Sequence, residues 1–97
     1  MTPGEALRRI QDACARGRYF VDPHAADRMA TRTVTVADIK HLARKPASIA
    51  PHPGRTTPAR TSSWRLTGED LHGKALMVGI DLTVDHLGNF ALVATVM

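Results

Sequence analysis

Only one of the 97 residues is cysteine and only four are aromatic. The lone Cys14 excludes an internal disulfide and cannot hold a metal by itself, which fits a reducing compartment, most simply a bacterial-type cytoplasm. With Tyr19, Phe20, Trp64 and Phe90 as the whole aromatic complement, the core must be mostly aliphatic. No apolar run approaches the roughly 20 residues that cross a bilayer, and the opening MTPGEALRRI lacks the apolar stretch of a secretory signal. There is no GxGxxG, P-loop or CxxC, so nothing points to a cofactor. The histidines, His24, His41, His52, His72 and His86, are scattered without a paired HxxxH spacing, so no metal motif is present either. Acidic residues are also scarce, and none falls between Asp38 and Glu69.

What is abundant is positive charge. Thirteen Lys and Arg against nine Asp and Glu give a formal charge of +4. A basic chain suits an acidic partner: RNA, DNA or an acidic protein. The acid-free interval holds Lys40, Arg44, Lys45, Arg55, Arg60 and Arg65. Part of it, PASIAPHPGRTTPARTS at 46–62, contains four prolines and reads as a long, mobile basic loop able to track a nucleic-acid backbone.

The length fits one domain. Thr2, Pro3 and Glu5 form a helix-start signal, Leu7, Ile10 and Cys14 follow at helical spacing, and Gly17 is a stop. RYFVDP is a short β-prone run. Asp22 and Pro23 then open a second helix reaching about Arg32, with Ala25, Ala26 and Met29 facing the core. Thr35 caps a third helix with Asp38 in its first turn and Ile39, Leu42 and Ala43 inward, and Pro46 ends it. The final third alternates as SSWRLTG, ALMVGIDLTV and FALVATVM, separated by short turns. The expected fold is α+β: two or three N-terminal helices packed on a three- to four-stranded antiparallel sheet.

Within the second helix His24, Arg28 and Arg32 stand at i, i+4 and i+8. Their directions spread over about 80°, so they form one stripe. A histidine can move protons near neutral pH, and arginine presents a fixed fork of donors to phosphate. The plainer alternative is a solvated helix face. Arg65 alternates with Trp64 and Leu66, so it points away from them; a phosphate contact is open to it if Trp64 is core.

The stretch YFVDPHAADRMATRTVTVADI resembles the leading signature of the bacterial family called domain of unknown function 4258, through Tyr19, His24, Ala25, Arg28, Met29, Arg32, Val34, Thr35, Asp38 and Ile39. The likeness extends in style over about residues 5–97. The family often has glycine where this chain has Thr33, a position that a tight left-handed turn would reserve for glycine. Its members are small proteins likened to RelE/ParE-type toxins, so the resemblance implies a RelE/ParE-like α+β fold. It also implies a metal-independent endoribonuclease in a toxin–antitoxin setting, with His24, Arg28, Arg32 and Arg65 catalytic and Lys40, Arg44, Lys45, Arg55 and Arg60 carrying RNA. The alternative is a non-catalytic module that engages an acidic protein, its arginines paired with Asp27 or Asp38. The partners considered are RNA, free or on the ribosome, an acidic antitoxin-like chain and a second copy in a homodimer, with no membrane.

Overall fold

Each helix begins where a short polar side chain can satisfy its open N–H groups. The structure, a computed structural model, describes residues 1–52 and 60–97. In α1 (Pro3–Ala15) Thr2 Oγ1 accepts from the Glu5 N–H at 3.2 Å. In α2 (Pro23–Arg32) an Asp22 oxygen accepts from the His24 N–H at 2.9 Å. In α3 (Val36–Arg44) Thr35 and Asp38 exchange bonds: the Asp38 N–H donates to Thr35 Oγ1 and the Thr35 N–H to Asp38 Oδ2. That reciprocal box satisfies two donors at once.

The ends of α1 and α2 close in the same way. Gly17 N–H donates to the Cys14 carbonyl and Arg18 N–H to that of Ala13, with Gly17 at φ 72°. Thr33 N–H donates to Ala30 and Val34 N–H to Met29, with Thr33 at φ 58°. Both are left-handed helix stops. The first uses the residue suited to that conformation, while the second forces a β-branched side chain into it.

The sheet corrects the expectation from sequence. It has five strands, β1 (Tyr19–Val21), β2 (Ser48–Pro51), β3 (Thr61–Glu69), β4 (Ala75–Asp85) and β5 (Gly88–Val96), in the order β1-β5-β4-β3-β2. It is mixed rather than antiparallel: β1 lies parallel to β5, Tyr19 opposite Ala91 and Val21 opposite Val93. The hairpins β3–β4 and β4–β5 are antiparallel as their short turns require. The expected loop at 46–62 contains β2. Ile49 packs against the core, and the ladder is prolonged by Ala47 N–H to the Thr67 carbonyl and His52 N–H to that of Ser63. Proline is compatible with this strand because it lies at the sheet edge. The rest of that loop, 53–59, lies outside the described residues.

All three helices cover one face of the sheet. Trp64, Leu66, Leu76, Val78, Ile80, Leu82, Ala91, Val93 and Val96 supply its buried side, and Ile10, Met29, Ile39 and Leu42 close over them. Ala26, expected inward, is exposed. Truncating a fully buried side chain such as Leu66 to alanine would cost about 2–5 kcal/mol. Over β2, β3 and β4 the other face is largely polar, whereas Phe20 of β1 lies beside Leu92 of β5 on it. Ser63 Oγ donates to Asp81 at 2.8 Å, the Thr61 and Thr83 hydroxyls meet at 3.0 Å, and Ser48 touches Thr67.

One buried carboxylate ties layers together. Asp38, 2% exposed, also accepts the Leu71 N–H at 3.0 Å, which links the start of α3 to the β3–β4 turn. The N–H donors of Thr35 and then Leu71 hold its carboxyl below the usual aspartate range, against the opposing pull of burial.

Candidate active site

Asp22 and Pro23 set the start of α2, and Ala25 and Met29 anchor it to the sheet. His24, Arg28 and Arg32 are therefore turned outward, and all three are exposed. The helix does not stand alone at this point. His24, Asp27, Arg28 and Thr31 form one wall of a groove of about 560 Å³ whose other wall is residues 94–97 at the end of β5. Arg32 faces a neighbouring hollow of about 310 Å³, bounded by Thr67 and Gly68 of β3 and by Ala75, Leu76 and Met77 of β4. Met97 borders both.

Neither Arg28 nor Arg32 has a carboxylate within 4.0 Å among the described residues. The pairing of these arginines with Asp27 or Asp38, expected for a purely structural stripe, is absent. Asp38 is engaged by backbone donors instead, and Asp27 shares the groove wall with Arg28 without closing on it. The His24 imidazole likewise has no hydrogen-bond partner among the described residues. A histidine and a guanidinium on one open wall can engage a phosphodiester, one by proton transfer and the other by a paired donor fork.

The remaining candidates lie elsewhere. Arg65 is opposite Gly79 in the register, between the core residues Trp64 and Leu66, and so projects from the polar face with Ser63 and His52. Strand alternation makes that placement unavoidable, and it separates Arg65 from the α2 groove by the thickness of the sheet. Lys40 has its ammonium 5.0 Å from the centre of the Tyr19 ring. With Arg44, Gln11 and Cys14 it lines a third hollow of about 320 Å³ between α1 and α3. Burial pushes the Cys14 thiol up, against the weaker pull of Lys40, so the cysteine is a poor nucleophile. Lys45 follows α3, next to the Thr67 end of β3, whereas Arg60 precedes the Thr61 end with φ 64°. Six residues of strand put those two about 20 Å apart. Arg55 lies outside the described residues. Of the described ones, Lys40 and Arg44 share the α1–α3 hollow, while Arg60 stands about 20 Å from Lys45.

Asp27, Thr31 and the end of β5 also belong to the groove; Asp27 was named in the sequence only as a partner for the arginines, and the other two were not singled out. Asp27 and Thr31 carry a helical signal, at i+3 and i+7 from His24. Nothing local in sequence brings residues 94–97 to α2. Among the described residues no cluster of three or more His, Cys, Asp or Glu could hold a metal ion, and no helix is long and apolar enough to cross a membrane. Comparison with family models, curated proteins and solved structures finds no match for this chain.

Proposed function

We propose that this protein is a small toxin-like endoribonuclease that cuts RNA without a metal, in the α2–β5 groove. The observation that carries this reading is His24 and Arg28 on one groove wall, neither side chain with a partner among the described residues. In the reaction the RNA 2′-oxygen bonds to the adjacent phosphorus and the bond to the 5′-oxygen breaks, leaving a 2′,3′-cyclic phosphate and a 5′-hydroxyl. His24 accepts the 2′-hydroxyl proton or delivers one to the departing 5′-oxygen, and solvent water carries the other of these two protons. Arg28 offsets the charge that builds on the phosphate in the transition state. Arg65 has no part in this, because it serves the opposite face of the sheet.

The resemblance of residues 19–39 to the domain of unknown function 4258 signature supports the same reading, as does the order of helices followed by a β-meander, which a RelE/ParE-like domain would have. The mixed five-stranded sheet departs from the antiparallel form anticipated for it. In a toxin–antitoxin setting an acidic antitoxin-like chain would neutralise the same cations.

The test is cleavage of RNA by the purified protein in EDTA, wild type against His24→Ala and Arg28→Ala. The expected result is metal-free cleavage that falls by roughly 10²-fold in His24→Ala, the usual scale for a general acid–base group. Folded wild-type protein that cuts neither free nor ribosome-bound RNA would overturn the enzyme reading in favour of a protein-binding module.

A further inference from the structure

We propose that the end of the sheet beside α2 is a track for two successive phosphates of one extended, single-stranded RNA. The first phosphate sits at His24 and Arg28, the next at Arg32, and a base rests on Met97 between them. The inference builds on the RNA reading of the α2–β5 groove.

Arg28 and Arg32 are one helical turn apart, about 6 Å along the axis. Two arginines at that spacing can share one phosphate. Here they face different hollows, one against the end of β5 and the other against the ends of β3 and β4. Met97 borders both hollows, and its backbone N–H donates to the Met77 carbonyl at 2.9 Å. A ligand spanning both arginines must therefore pass over Met97.

The chemistry along that path alternates. Arg28 offers a charged fork, then comes the 42% exposed Met97, then the second fork of Arg32, whose hollow Leu76 and Met77 also line. A nucleic-acid strand alternates in the same way, phosphate, base-bearing sugar, phosphate. Methionine is a polarizable side chain that adapts to a flat ring, and apolar side chains serve as stacking surfaces for bases taken out of a helix. Among the described residues no Asp or Glu lines the Arg32 hollow, and Asp27 is the one that lines the other. A duplex would present its phosphates from the outside of a rigid cylinder with its bases stacked inward, so it could touch an arginine but could not lay a base on Met97.

The experiment is equilibrium binding, by fluorescence anisotropy, of uncleavable 2′-O-methyl oligonucleotides carrying one, two or three phosphates, and of a duplex of the same sequence. Affinity should rise about tenfold between one and two phosphates, the worth of one charge-assisted arginine contact. Arg28→Ala should weaken every ligand. Arg32→Ala should leave the one-phosphate ligand untouched and return the two-phosphate ligand to its level, with the slope of log affinity against log salt reduced by about 0.7. An abasic sugar between the two phosphates should weaken wild type and leave Met97→Ala unaffected. Affinity that is flat with length, an Arg32→Ala loss already present with one phosphate, or duplex binding as tight as single strand would each overturn the track. Length-dependent binding without cleavage of ordinary RNA would remove catalysis and keep the track. Cleavage without length dependence would do the reverse.

Discussion

Around α1 and the start of β5 three arginines, Arg9, Arg16 and Arg18, have partners while Arg8 has none, whereas along α2 neither arginine has one among the described residues. Arg16 pairs with Asp12 at 2.8 Å, Arg9 donates to Asn89, and Arg18 lies 3.6 Å from Asp85 and over the Phe90 ring. The Asp12 carboxyl is held low by its bond from Asn89 and then by Arg16. His24, Arg28 and Arg32 stand on a helix of the same fold with no such closure among the described residues. Charges that hold a fold together find partners within it. A stripe left without them next to a groove is free to use its donors on something else.

The contrast can be broken from either side. The largest effect on stability should come from a charge that is fully engaged: Asp38→Ala strands the Thr35 and Leu71 N–H donors and should destabilise the fold by about 3 kcal/mol in denaturant unfolding. The same carboxylate gives a pH signature. Its folded pKa is below the ordinary value, so its contribution is complete above the usual aspartate range near 3.8 and drains away as pH falls through the depressed folded value. An acid titration of unfolding in which Asp38→Ala kept the wild-type slope would contradict that role. Next comes Arg28→Ala, which should weaken RNA binding about tenfold while moving stability by less than about 0.5 kcal/mol. A large drop in melting temperature would mean that Arg28 is structural after all. Thr33→Gly relieves the left-handed strain at the end of α2 and should add about 0.5–1 kcal/mol without changing RNA affinity. Smallest of all is Arg16→Ala: an exposed pair one turn apart is screened by solvent and adds little, so unfolding, binding and cleavage should all stay close to wild type.

The helices were readable from sequence because each carries its own punctuation. Thr2-Pro3, Asp22-Pro23 and the Thr35/Asp38 box mark the starts, and Gly17 the first stop, all within a few residues of the backbone groups they satisfy. The last three strands were readable from alternation, which also placed Arg65 opposite Trp64. β2 was hidden because PASIAP is proline-rich and only an edge position tolerates it in a ladder. The partner of β1 was hidden because three residues carry no record of what they pair with. For the same reason half of the candidate site could be read and half could not: the stripe is a local helical pattern, while its opposite wall is more than sixty residues away in the chain.

That distance has a consequence for the order in which the molecule comes into being. Residues 19–21 wait for 91–93, and the groove at His24 and Arg28 has no second wall until 94–97 arrive. A chain emerging from the ribosome N-terminus first can form α1, α2 and α3 early, but it carries its cationic stripe on an unfinished surface until the last strand docks. The groove cannot exist on a nascent chain that lacks β5, so any activity housed in it begins only once β5 has docked.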